Sequence, residues 1–242
     1  MSMKSQQGHS VDPEELLLRT DWNSVEHCCP NVAPATPVIL RQLLDNHAGK
    51  QGAALCDLQQ AVTHSSTFYS ATAPAASFVA AILGDPRTLA EVTDQRPWET
   101  ADLGEEPRFL LRVGLLNWLG RTAWDANEES PDGYDADIEA FRALRPTLYD
   151  AIQPFLTEED QTVRDAALAA VLPLLVSPEL AHHAECLRDD VWALAANSAP
   201  YRQRAIDTLA SWGADITPFQ RYRHTPADVR AHEEGCAGDP PF

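Results

Sequence analysis

No stretch of the 242-residue chain approaches the ~20 consecutive apolar residues that a membrane-spanning helix needs, and residues 1–15, MSMKSQQGHSVDPEE, are polar throughout. A secretory leader carries an apolar middle, so a cytoplasmic protein without a membrane partner is expected. Basic residues are scarce: 18 Lys and Arg stand against 36 Asp and Glu, a net charge of -18. Such a field repels nucleic acid and anionic lipid and favours encounter with basic proteins. Cysteine is sparse and odd in number. The five, Cys28, Cys29, Cys56, Cys186 and Cys236, are irregularly spaced in a chain large enough to fold without staples, so reduced thiols are expected.

Motifs that carry chemistry are missing too. The chain has no Gly-rich phosphate loop, no G-x-S-x-G elbow and no H-E-x-x-H. His182, His183 and Cys186 have half the ligands of a zinc site and His27-Cys28-Cys29 could supply others, but no Cys-x-x-Cys pair exists and zinc wants two well-spaced pairs. In the acidic run Asp125 to Asp137, Asp125, Asn127 and Glu129 alternate as calcium ligands do; glycine at the sixth place and glutamate at the twelfth are absent, so a solvated loop is expected. No metal, cofactor or catalytic residue is assigned.

What the chain has is helical periodicity with small residues on one face. In Gln161 to Val176, QTVRDAALAAVLPLLV, Asp160 is placed to cap the helix, and Val163, Ala166, Ala167, Ala170, Val171, Leu174 and Leu175 recur at three- and four-residue steps. Alanines on such a stripe let a second helix approach closely. The pattern returns in Tyr201 to Trp212, where Arg202, Ala205, Ile206 and Leu209 match Arg164, Ala167, Leu168 and Val171 at an offset of 38. A fainter copy, Ala54, Leu55 and Leu58, lies in Gln51 to Val62. A period near ~40 residues built of helix pairs is that of HEAT and armadillo arrays.

Through the V-R-x-x-A-x-x-x-L segment at Val163 to Val171, the chain resembles the HEAT-repeat family over most of Ala35 to Gly213. The resemblance implies an all-α fold, an α-solenoid of about four HEAT-like helix pairs with long polar connecting loops, serving as a binding scaffold without chemistry of its own. Residues 1–20 read as a lead-in or capping helix starting at Pro13, residues 21–213 as the solenoid, and 214–242 as a C-terminal extension of low order, with Ile216 to Phe219 folding back on the last repeat. Thr36 with Pro37 marks one helix start, and Ala73-Pro74 leads into another that ends at Gly84. A strongly apolar helix is expected over Pro107 to Ala123, and one over Asp137 to Leu156 with a bend or break at Pro146.

Two features stand out between the helices. The connection His64 to Thr72 is rich in hydroxyls and aromatics, and His64, Thr67, Tyr69 and Ala71-Thr72-Ala73-Pro74 resemble a segment of bacterial HEAT-like proteins of unassigned activity. Its bland account is that His64, Tyr69 and Thr72 bond the ends of adjacent helices. The polar insertion Thr88 to Glu106, bearing Trp98, exceeds the usual length of a helix connection. Trp98 and Trp124, beside polar loops, read as contact anchors, whereas Trp118, Trp192 and Trp212 fall within helix patterns and read as core.

Function expected on these grounds is a protein-binding scaffold for a basic partner, in its sharpest form an immunity or inhibitor protein covering a basic toxin. The partner-binding residues expected are His64, Tyr69, Trp98, Trp124, Glu128, Glu129, Asp132 and Asp135. The alternative is an enzyme, since the HEAT-like group includes DNA glycosylases and lyase-type modifying enzymes. A glycosylase needs a basic groove, for which Arg108, Arg112 and Arg121, expected on one helix, are the candidates.

Overall fold

Prolines and carboxylate caps set half of the α-helix starts in the computed structural model, which describes residues 12–28, 31, 35–93, 108–128 and 135–222. Asp12 caps α1 (Pro13–Arg19) by accepting from the Glu14 N–H at 2.9 Å. Pro37 lies in the first turn of α2 (Thr36–Gln42); Thr36 is itself helical and buried, and Ala35 occupies the cap position without a side-chain cap bond. After α3 (Ala48–Val62) and α4 (Thr72–Ile82), a 3-10 turn at Pro86–Leu89 leads to β1 (Glu91–Thr93). This strand pairs antiparallel with β2 (Arg108–Leu110), Val92 opposite Phe109. A short ladder therefore closes the foot of the insertion, and the helix expected from Pro107 begins only at Leu111, as α5 (Leu111–Asp125).

The helix expected over Asp137 to Leu156 is two, α6 (Ala136–Arg142) and α7 (Arg145–Ile152), because Pro146 lacks an N–H and suits a first turn rather than an interior. α8 (Gln161–Val171) is capped by Asp160 as its sequence predicts, and Pro173 then tightens the chain into a 3-10 turn, Leu172–Val176. A 3-10 turn at Ala181–His183 precedes α9 (Ala184–Asn197), and α10 (Arg202–Ser211) leads through Gly213, at φ 73°, to a last 3-10 turn at Thr217–Tyr222. The described residues are mainly helical, and no helix among them is long and apolar enough to cross a membrane.

The chain divides into two compact units, residues 1–184 and 185–242. Within the first, α2 packs on α3, α4 on α5 and α7 on α8; α3 and α8 both pack against α5, and α2 and α7 against α4. α1 covers α4, and its Leu17 is buried there with Trp22, whose Nε1 donates to the Leu17 carbonyl at 3.0 Å. The most extensive helix contact of the unit is α5 against α8, where Ala166, Ala167, Ala169 and Ala170 are all buried. Close approach has a price elsewhere: a Cβ on Gly52 of α3 would stand 2.9 Å from the Thr93 carbonyl oxygen in β1.

One polar position recurs in four helices. Arg164 of α8 donates to the carbonyls of Glu158 and Glu159, and Arg202 of α10 donates to those of Ala195 and Ala196 at 3.0 and 3.3 Å. Gln51 of α3 donates to the Leu43 carbonyl at 3.1 Å, and Arg112 of α5 donates to the Asp85 carbonyl at 3.3 Å and to the Thr88 hydroxyl at 3.0 Å. Each side chain thus donates to carbonyls at or just after the end of the element preceding its own helix, where helix-end carbonyls need partners. Three, four and seven residues after each lie the matching apolar positions, Ala54, Leu55 and Leu58; Leu115, Leu116 and Leu119; Ala167, Leu168 and Val171; and Ala205, Ile206 and Leu209, none more than 6% exposed. The copy headed by Arg112 was not visible in the sequence.

Candidate functional site

The connection between α3 and α4 is fastened from several directions. Thr72 Oγ1 donates to the Val62 carbonyl at 2.5 Å and accepts from the Tyr69 N–H at 3.0 Å, while the Thr72 N–H donates to the Tyr69 carbonyl at 2.8 Å. His64 bonds through Nδ1 to Gln60 Oε1 at 2.8 Å, and the Trp118 indole of α5 donates to Thr63 Oγ1 at 3.1 Å. The segment before α2 adds three more bonds: Glu26 N–H to Ser70 Oγ at 2.7 Å, Ala71 N–H to the Glu26 carbonyl at 3.1 Å, and Cys28 N–H to the Ala61 carbonyl at 3.0 Å. Helix-end capping accounts for Thr72 and for the backbone of Tyr69. The His64 ring remains exposed, the Tyr69 side chain is half-buried, and Ser66 sits at φ 58°.

Phe68, in the same connection, is buried edge-on against Phe141 of α6 at 5.5 Å. That contact brings α6 up to the connection. Asp135 is half-buried and caps α6, accepting from the N–H groups of Asp137 and Ile138 at 2.9 and 3.2 Å. It is a helix cap as well as a member of the acidic run. Burial, followed by the charges of Asp135 and Glu26, holds the Asp137 carboxyl above the ordinary carboxylate range. The charges of two separate segments, Glu26 and Asp135, thus bear on the Asp137 carboxyl.

The remaining expected anchors divide. Trp124 is half-buried near the end of α5 and Glu128 is exposed just beyond it, where Arg142 donates to the carbonyls of Ala126 and Glu128 at 2.7 and 3.3 Å. Trp98, Glu129 and Asp132 lie outside the described residues. The Phe68–Phe141 contact packs the helix capped by Asp135 against the connection that carries Tyr69.

Two expectations about other groups change. Arg108 sits in β2 and Arg112 is buried, with its guanidinium 5.0 Å from the Phe155 ring centroid, so Arg108, Arg112 and Arg121 do not form an exposed basic row along one helix. Burial lowers the Arg112 pKa, against the charges of Glu158 and Asp85. The His182 and His183 rings meet tilted at 39° and 3.9 Å, and His183 stacks on Tyr149 at 4.4 Å. No group of three or more His, Cys, Asp or Glu among the described residues is placed to hold a metal ion. Finally, Trp118 is buried as its position in a helix predicts, but Trp192 is 37% exposed on α9 and meets Phe219 at 4.7 Å. Phe219 is itself buried, so the chain after α10 does fold back. Comparison of the chain with family models, with curated proteins and with solved structures gives no match in any of the three.

Proposed function

We propose that this chain is a non-catalytic, HEAT-like protein-binding scaffold whose partner is a basic protein, and that in its sharpest form it is an immunity or inhibitor protein occluding a basic toxin. The helix pairs α2/α3, α4/α5 and α7/α8, with like helices packed on like, support a solenoid of HEAT-like repeats in the first unit. The pair α9/α10 repeats the same polar position and apolar spacing in the second.

The observation that carries the partner's chemistry is the Asp137 carboxyl, whose charged form is disfavoured by burial and then by the charges of Asp135 and Glu26. Like charges gathered this way are relieved by a cation. Among the described residues, Arg41, Arg87 and Arg142 pair with Glu14, Asp85 and Glu139, and Arg112, Arg164 and Arg202 donate to carbonyls. The glycosylase alternative is disfavoured because Arg112 is buried and cannot reach phosphate.

The test is affinity capture from the native cytosol, followed by binding of the purified partner over a range of salt. Affinity should fall as salt rises, since exposed attraction is screened beyond about 8–10 Å at physiological ionic strength. Tyr69→Ala, Trp98→Ala and Trp124→Ala remove candidate anchors; Asp135→Asn removes charge while retaining a good cap. Binding that ignores both salt and these substitutions, or turnover of a small molecule or excision of a base by the protein alone, would overturn the reading.

A further inference from the structure

Between α1 and α2, residues 21–28 form turns and bends, so no helix or strand ladder holds this segment in place. Its ties are single bonds. The Glu26 N–H donates to Ser70 Oγ at 2.7 Å, the Glu26 carbonyl accepts from the Ala71 N–H at 3.1 Å, and the Cys28 N–H donates to the Ala61 carbonyl at 3.0 Å. His27 stands between the two tied residues and is only 6% exposed, with the Trp22 ring centroid 6.4 Å from its own. Its Nδ1 donates to the Val25 carbonyl of the same segment, which ties ring and segment together, and Nε2 is buried with no hydrogen-bond partner among the described residues.

A proton on Nε2 turns a buried lone pair into a buried, charged donor. An ion inside a protein without compensation is costly, and either loses its charge or moves to water. The groups at this end of the surrounding elements that carry charge or titrate below pH 7 are Arg19 of α1, Asp21 and Glu26 of the segment itself, Asp57 of α3, His64 just after it, and Asp135 and Asp137 at the start of α6; α4 has none. None of these charges is a cause of the His27 shift, which is downward through burial and opposed by the Val25 carbonyl. No carboxylate therefore holds an imidazolium in this place, whereas turning the segment outward solvates it. Thr72 keeps the α3–α4 connection closed meanwhile, since its bonds to Val62 and Tyr69 do not involve the segment.

We propose that His27 is an acid-operated latch: protonation of Nε2 releases residues 25–28 from the end of α3 and from the α3–α4 connection, while the helices stay folded. The latch is closed above the ordinary histidine range and opens as pH falls through it, because the released ring takes up the proton more readily than the buried one. The connection it fastens is the one that carries Tyr69, so release loosens that part of the candidate site at acidic pH and leaves it tied at neutral pH. The inference depends on no property of the partner.

The experiment is amide hydrogen exchange of the full chain, read by NMR, with each protection factor referred to the rate of an unstructured amide at the same pH. Between pH 7 and pH 5, protection of the Cys28 and Ala71 amides should fall by up to about 25-fold, the limit for a released ring of pKa about 6.5. The Ala167 amide within α8 should change by less than roughly 2-fold, since that helix does not open with the segment. His27→Asn keeps a neutral donor near the position of Nδ1 and should abolish the pH dependence. Ser70→Ala removes one tie and should lower the protection of both amides at every pH while leaving that dependence in place. Constant protection in the wild type, an equal fall in His27→Asn, or no effect of Ser70→Ala on either amide overturns the latch. An equal fall at Ala167 overturns it too, since the proton then acts through global unfolding. Should His27→Asn fail to fold, the comparison of Cys28 and Ala71 with Ala167 in the wild type decides alone.

Discussion

Gly52 of α3 and Thr93 of β1 approach so closely that a methyl group on the first would come 2.9 Å from the backbone oxygen of the second. Val92 Cβ would be 3.5 Å away, and Val92 is buried, so neither obstacle can swing aside. Alanine in a helix is favoured over glycine by about 1 kcal/mol, but overpacking a core typically costs about 1–3 kcal/mol. Gly52→Ala is therefore expected to lower the thermal midpoint. Gly49→Ala, in the first turn of the same helix with nothing within 4 Å of its Cβ, should leave the midpoint unchanged or raise it. Melting curves of the two variants beside the wild type decide this; equal shifts would mean that α3 does not press on β1.

Ala167 of α8 is fully buried in a helix that packs on α5. Ala167→Arg places an unpaired guanidinium in that contact, a cost of several kcal/mol. Loss of cooperative melting near the wild-type midpoint is the expected result, and a variant that melts with the wild type would show the face to be misassigned.

Arg112 joins α5 to the turn after α4 through Thr88 and the Asp85 carbonyl. Arg112→Ala leaves the Thr88 hydroxyl and a buried space behind, so a loss of about 2–4 kcal/mol is expected. Arg112→Lys should recover little, because an ammonium cannot reproduce the planar fork that addresses both groups. Urea midpoints of the two variants check this; full recovery by lysine would mean that charge alone matters there.

His27 gives the stability a pH dependence of known sign. Its ring is buried, and a carbonyl can only accept, so the Nδ1 contact with Val25 O at 2.9 Å puts the proton on Nδ1 and leaves the lone pair on Nε2. Nε2 has no hydrogen-bond partner among the described residues. Burial lowers the pKa below the ordinary 6.5, opposed by the Val25 carbonyl. The unfolded chain then binds more protons between the lowered value and 6.5, so stability falls as pH drops from 6.5 toward the folded pKa and this contribution levels off below it. Urea midpoints between pH 7.5 and 5 should decline less steeply for His27→Gln than for the wild type. Parallel declines would exclude His27 as a source.

How far the chain could be read before its structure depended on spacing. Asp160 and the steps from Val163 to Val171 agree with each other, so α8 and its buried alanines were legible, and Arg164 with Arg202 stood at a regular interval. Arg112 stood off that interval because the insertion pushes α5 along the chain, and leucine replaces alanine at Leu115, so the match in type was lost although the match in geometry holds. The strands β1 and β2 are too short to show alternation. Trp192 reads as core because it falls within a helix pattern, but it follows buried Val191, and one residue on a helix is a turn of about 100°, enough to move a ring from the buried stripe to the exposed one. At the candidate site, Asp135 was legible as an acid, and its capping role was hidden because a cap and a loop carboxylate look alike until the helix end is located.

The recurring donors at helix junctions also set an order of assembly. Gln51 reaches back 8 residues, Arg164 reaches 6 and Arg202 reaches 7, so these three junctions close over short lengths of chain. Arg112 reaches back 24 residues to Thr88 and 27 to Asp85, across the insertion. Closing a loop costs entropy before its contacts repay it, and local junctions form soonest. The fourth junction is therefore the slow one. Each doubling of a flexible loop adds only about 0.6 kcal/mol, so the insertion can change in length and content with little effect on final stability, provided that β1 and β2 hold its foot. Its burden is on the time of folding rather than on the equilibrium.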